Sequence, residues 1–178
     1  RAGAVIFSGG AVPTPVFLQK QGLCNSSGQL GRNLSMHPST GFSALMDEAV
    51  EPHKHIPQGY YVEEHIKDGI LINAAQPDRN FAPILFPQTG DRLMRILEDV
   101  DHLASFGVMI ADDVASGVVY PGPGGLPIVK YSLTERDVAR MHRGFVLAGE
   151  MAWAAGAKRL HPVCVSMSEV RSMDDWRR

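Results

Sequence analysis

Four apolar residues in a row, Ala4-Val5-Ile6-Phe7, run directly into Ser8-Gly9-Gly10-Ala11. The run does not alternate with polar residues, so as a strand it has both faces covered, and such a strand needs neighbours on either side. Pro13 and Thr14 then stand where a helix starts, because proline lacks an amide that a first turn leaves unpaired anyway. Phe17 and Leu18 give this helix apolar contacts, and Gly22 suits the left-handed position that closes it. Residues 4–22 therefore read as strand, glycine turn and short helix. The partners of the strand are expected outside this sequence, which reads as a piece of a larger protein.

At 178 residues the chain is long enough for about one domain and part of a second. Lys and Arg number 17 against 19 Asp and Glu, a net charge of −2 without charge blocks, which argues against a surface built for nucleic acid. Pro, Gly or a charge breaks each apolar run before the roughly 18 residues that a membrane-spanning helix needs. A soluble protein with no membrane span is expected. Cys24 and Cys164 lie far apart and neither belongs to a C-x-x-C pair, so the expectation is two thiols in a reducing cytoplasm, with Cys164 buried and inert.

Residues 24–41 are rich in Ser, Asn and Gly and mark a loop between two units. The expected division is 1–40, a piece of one domain with its connecting loop, and 41–178, a second domain. Strand-like periodicity recurs at 42–50, 60–66, 69–75, 106–111, 118–120 and 128–133. The stretch from Pro121 to Pro127 holds three glycines and three prolines, and predicts a tight connection between the last two of these strands. Two helices interrupt the strands. Leu93, Ile96, Leu97, Val100 and Leu103 follow three- and four-residue spacing. Val138, Met141, Phe145, Ala148 and Ala152 form a second stripe, introduced by Ser132 and Glu135 at capping-box spacing and closed by Gly156. The fold class expected is α+β, an antiparallel sheet covered by helices on one face and open on the other.

Candidate chemistry is sparse. The acidic doublets Asp47-Glu48, Glu63-Glu64, Asp112-Asp113 and Asp174-Asp175 would point to opposite faces on a strand, so solvated edges and turns are expected rather than paired acid/base groups. His53, His55 and His65 offer a metal-ligand set only if a proline-bracketed loop holds its spacing, which Pro52 and Pro57 argue against. Nucleotide-binding and nucleophile-elbow fingerprints are absent. Two constellations remain. In Ser8-Gly9-Gly10-Ala11 the glycines let backbone approach a ligand, and the amides at the helix start suit anionic oxygens such as a diphosphate. In Gly31-Arg32-Asn33-Leu34-Ser35-Met36-His37-Pro38, Asn33 and His37 either face a ligand or cap local backbone.

Together these two stretches resemble the glucose-methanol-choline (GMC) family of FAD-dependent oxidoreductases. Residues 5–15, ending in Thr14-Pro15, are similar to a family signature that leads from a strand through a small-residue turn into a short helix. Residues 31–38 are similar to its Gly-x-Asn-Leu-x-x-His-Pro element. Gly9 departs from a frequent Ala, and Gln21 stands where Ser is common. The family's N-terminal dinucleotide fingerprint and its C-terminal active-site histidine have no counterpart. The resemblance implies a middle piece: part of the FAD domain over 1–40 and most of the substrate domain over 41–178. It further implies FAD as cofactor, held by Ser8, Gly9, Gly10, Ala11, Thr14, Pro15, Asn33 and His37. The activity implied is oxidation of an alcohol, long or hydrophobic, by hydride transfer to flavin, in partnership with the remainder of the polypeptide. No residue is expected to be the catalytic base; His142 and His161 are the nearest substitutes, with His142 expected on an exposed helix face. Two other readings stay open: a non-catalytic α+β module that binds a ligand or partner, and a hydrolase holding metal through His53, His55 and His65.

Overall fold

The computed structural model describes residues 2–75, 80 and 82–177. Two compact units divide them, residues 1–36 with 112–136 and residues 37–111 with 137–178.

The first unit holds helix α1 (Pro13–Lys20) and a hairpin of β5 (Val118–Pro121) and β6 (Pro127–Lys130). The hairpin pairs Val118 with Lys130 and Pro121 with Pro127, as the two β-rich stretches predict, and Gly124 and Gly125 make the turn with positive φ. Gln19 on α1 donates through its side-chain amide to the carbonyls of Leu30 and Val119, at 3.1 and 2.9 Å. That one amide ties helix, loop and hairpin together. Residues 4–7 are not a strand among the described residues, and Val5 and Ile6 are 69% and 89% exposed. A strand exists only with a partner, and none pairs with them among the described residues. Phe7 instead lies against Phe17 of α1, ring centres 5.2 Å apart.

The second unit is built on a five-stranded sheet of β1 (Ser39–Leu45), β2 (Tyr61–Val62), β3 (Ile70–Ala74), β4 (Leu103–Ile110) and β7 (Arg159–Pro162). The order is β2-β3-β4-β1-β7 and each described pairing is antiparallel. Helices α2 (Ala82–Leu85), α3 (Asp91–Glu98), α4 (Glu135–Ala154) and α5 (Met173–Trp176) complete it. With α1, this is the α+β architecture expected, an antiparallel sheet accompanied by five helices.

Period two along each strand sorts the sheet into two faces. One carries Phe42, Ala44, Ile70, Ile72, Val108, Ile110 and Leu160, all buried, and packs beneath α4. Small residues allow the close approach. A Cβ on Gly144 would stand 2.7 Å from Val108 Cγ1 and 2.9 Å from Ile70 Cγ2. The buried side of α4 is Asp137, Gly144, Ala148, Gly149 and Ala152, with Met141 and Phe145 half-buried beside them; of the stripe expected from the sequence only Val138, 54% exposed, stands outside. The helix turns its smallest residues to the sheet, and Gly144 and Gly149, which a count of large apolar residues passes over, sit on the same face as that stripe.

The first predicted helix also ends early. Helix α3 stops at Glu98, Val100–His102 form one tighter turn, and Leu103 already opens β4. Val100 and Leu103 remain buried with Ile96, Ala82 and Phe86, so the apolar spacing persists although the backbone changes. Strand β7 has no sequence signal, since Arg-Leu-His-Pro lacks β-branched residues and ends in a proline, which suits an edge.

Trp176 locks the C-terminal helix to this core. Its ring stacks on Phe145 at 4.3 Å, meets Phe42 edge-on at 4.9 Å, and its indole N–H donates to the Phe145 carbonyl. A Cβ on Gly149 would overlap that indole. Gly149→Val is therefore expected to lower stability by about 2 kcal/mol through overpacking, and Trp176→Ala by about 3–4 kcal/mol. In chemical denaturation the double variant should lose clearly less than the two losses added, because the indole that the new side chain strikes is gone.

Candidate functional site

The turn Ser8–Ala11 is exposed and precedes α1, with Gly10 at φ +96°. The helix start itself offers few donors. Pro13 and Pro15 have no amide hydrogen, and the Thr14 amide donates to the Gly10 carbonyl at 3.2 Å. The first turn of α1 thus holds few amides for the anionic oxygens expected there from the sequence. What the geometry offers are the amides of Gly9, Gly10 and Ala11, which have no acceptor among the described residues. Thr14 folds back over the turn, its Oγ1 3.1 Å from where a Cβ on Gly9 would lie, so glycine at position 9 leaves that hydroxyl undisturbed.

Asn33 lies in the same unit with positive φ, +60°, and its side-chain amide donates to Gln29 Oε1. Its loop is an ordered element rather than a loose linker. Leu34 and Gly117 exchange backbone hydrogen bonds of 2.9 and 3.1 Å, and the Val119 amide donates to the Gly31 carbonyl. Gly31 is required there, since a Cβ would run into the Gln19 amide and the Val119 carbonyl. Asp112, which the sequence offers only as half of an acidic doublet, is the anchor of this loop. Its carboxylate accepts from the Ser35 hydroxyl at 2.7 Å, the Met36 amide at 3.1 Å and the Tyr131 hydroxyl at 3.2 Å. Only the fold reveals this, because Ser35 and Asp112 are 77 positions apart.

His37 opens the second unit. It is exposed and lines a groove of about 280 Å³ with Ile66, Gly69, Leu71, Met109 and Ala111, apolar apart from the imidazole. Beside it, on the sheet face away from α4, Gly41 and Gly107 sit opposite each other in register, and a Cβ on Gly41 would stand 2.6 Å from the Phe106 carbonyl oxygen. The Asn73 amide lies over Gly107, where a Cβ would meet its Oδ1. Further along, the Ser43 and Ser105 hydroxyls share a buried hydrogen bond of 2.7 Å. Leu71 and Met109 are large apolar side chains in the groove, while Phe42 is buried under α4 and Tyr60 and Tyr61 are exposed.

His142 is exposed on α4, as expected. His161 is buried, and its Nδ1 lies 3.0 Å from the Ser168 carbonyl. A carbonyl only accepts, so Nδ1 carries the proton. Burial holds the imidazole below its ordinary range, against the opposing pull of the Ser168 carbonyl and Glu169. Cys164 is half-buried, not fully buried, and hydrogen bonds from the Ser166 hydroxyl and the Ser166 and Met167 amides lower its pKa. His53 and His65 face Asp101 and Asp68 at 3.7 and 3.6 Å, and no three His, Cys, Asp or Glu side chains converge as a metal site among the described residues. No described helix is long and apolar enough to cross a membrane.

No family profile matches the chain. Individual relatives do. Proteins called uncharacterized GMC-type oxidoreductases from two strains of Mycobacterium tuberculosis are 32% identical over 157 residues, 88% of this chain and 24% of theirs. A GMC-type oxidoreductase of Sinorhizobium fredii is 27% identical over 171 residues, 91% of this chain and 31% of its own. By sequence, the chain belongs to the GMC-type oxidoreductases. It spans about a quarter to a third of the length of these GMC relatives.

Two outcomes follow from the geometry. Asp112→Ala removes the charged acceptor of the Met36 amide, so hydrogen exchange at Met36 should accelerate about tenfold while exchange in β4 is unchanged. The folded His161 binds a proton less readily than the unfolded one, so its contribution to stability is present above the ordinary histidine pKa near 6.5 and is lost as pH falls below it. Denaturant midpoints across that range should fall more steeply for the native chain than for His161→Gln.

Proposed function

We propose that this chain contributes part of the cofactor site and most of the substrate domain of an FAD-dependent oxidoreductase that oxidises an alcohol. What carries the reading is the GMC relationship along about nine-tenths of the chain, joined to the exposed glycine turn before α1. The remainder of a longer polypeptide is the partner this function needs.

Flavin, when bound, would supply the hydride acceptor. Holding it falls to the polypeptide. The residues present suit such a group: the Gly9, Gly10 and Ala11 amides point to no internal acceptor, and the absence of side chains at positions 9 and 10 lets phosphate oxygens reach the backbone. Ser8 adds a hydroxyl at the edge of the turn. Thr14 and Pro15 fix the start of α1, Thr14 by the hydrogen bond its amide donates to the Gly10 carbonyl and Pro15 by its restricted φ. Asn33, fixed by Gln29, and His37 are the remaining cofactor contacts in this reading. None of these groups is assigned the role of catalytic base.

Selection of the alcohol falls to the sheet face away from α4. The groove beside His37, with Leu71 and Met109 in its lining, suits an apolar portion of a long or hydrophobic substrate.

The test is a titration of isotopically labelled chain with FAD. Saturable shifts at the amides of Gly9, Gly10 and Ala11 are expected. Gly10→Val, which forces a β-branched residue into positive φ, should weaken binding at least tenfold. If FAD leaves those amides unmoved, or if Gly10→Val binds as the native chain does, the cofactor assignment falls and a non-catalytic binding module replaces it.

A further inference from the structure

Within the second unit, α3, β7 and the segment that follows β7 enclose an open cavity of about 550 Å³. Four arginines line it, Arg92 and Arg95 from α3, Arg159 from β7 and Arg171 beyond it, with the buried His161 beside them. Glu169 is already committed, 3.5 Å from Arg159 and 2.6 Å from Arg171. Burial would raise its pKa, but those two guanidinia outweigh it and keep the carboxyl ionised to lower pH than usual.

Arg92 and Arg95 are different. They stand three residues apart on one helix and thus share a face, and neither guanidinium has a partner among the described residues. Glu98 and Asp99 also line the cavity, yet neither pairs with them within 4 Å, and the lining as a whole holds four guanidinia against three carboxylates. Guanidinium forks match the oxygens of phosphate and carboxylate groups two at a time, and two forks on one helical face suit a ligand with several such oxygens. The hydrogen bond from His161 Nδ1 to Ser168 fixes the imidazole, leaving Nε2 as the ring atom not tied to backbone.

We propose that this cavity is a binding site for a compact polyanion, a small molecule bearing two or more phosphate or carboxylate groups, held chiefly by Arg92 and Arg95. The site draws on residues outside the glycine turn and the His37 groove, so it stands or falls independently of the flavin reading.

The whole chain, with labelled arginine and histidine side chains, is titrated with inorganic pyrophosphate and separately with citrate at about 0.1 M salt, where remote surface charges are largely screened. Saturable, concerted shifts of the Arg92 and Arg95 Nε–H signals and of the His161 ring are expected. The double variant Arg92→Ala/Arg95→Ala should bind at least tenfold more weakly, whereas Arg177→Ala, whose guanidinium pairs with Glu150, should bind as the native chain does. Both α3 arginines are solvent-exposed, so the fold survives their removal, and an unchanged unfolding midpoint confirms it. Tighter pyrophosphate supports a phosphate ester as the natural ligand and tighter citrate a polycarboxylate. No saturation by either ion, or equal affinity in the double variant and the native chain, overturns the site.

Discussion

The second unit depends on how closely α4 can approach the sheet. Gly144, Ala148, Gly149 and Ala152 form a shallow face on a helix of 20 residues, and the branched side chains of Ile70 and Val108 fill the space this leaves. Close packing of this kind gains many small dispersion contacts at once and tolerates little change in volume. It also decides where the aromatic residues go. Phe42, Phe145 and Trp176 converge where the helix leaves room, so the C-terminal segment is held by the same contact that holds the sheet. One face of the sheet is thereby consumed by α4, while on the other Leu45 and Leu103 pack against residues of α2 and α3 and Ser43 and Ser105 are buried.

The first unit is organised by polar groups instead. Gln19 bridges two backbone carbonyls from distant parts of the chain, and Asp112 gathers two donors from the Ser35-Met36 loop and one from the hairpin. Such contacts are directional and position loops closely, whereas apolar burial fixes only which side of an element faces inward. That is how a stretch poor in apolar residues, from Gly28 to Met36, comes to hold a defined backbone.

Much of the architecture can be read from local pattern. The hairpin follows from two β-rich runs around Pro and Gly, α4 from its spacing and its closing Gly156, and the α+β class from strands grouped around long helices; Ser132 and Glu135 do not make the expected capping box, because the helix starts only at Glu135. Register and inward face are less legible. Glycine carries no hydrophobic signal, so Gly144 and Gly149 go unnoticed on the buried side of α4, and Leu103 keeps helical spacing while belonging to a strand. The resemblance drew attention to Ser8–Ala11 and to Asn33 and His37, but the two prolines that leave the first turn of α1 short of amide hydrogens, and the turn amides of Gly9, Gly10 and Ala11 without an acceptor among the described residues, emerge only from the fold. Asp112 and the arginine cavity were illegible because each joins residues brought together solely by folding.

The borders of the sheet carry one more lesson. Strand β2 contributes only two residues on one side, while β7 on the other ends in Pro162 and has Leu160 bridged to Val170. A short rim and a proline-stopped, partly occupied rim both deny a foreign strand the long row of open amides it would need to zip on. Copies of this unit are thus discouraged from growing into fibrils through their borders.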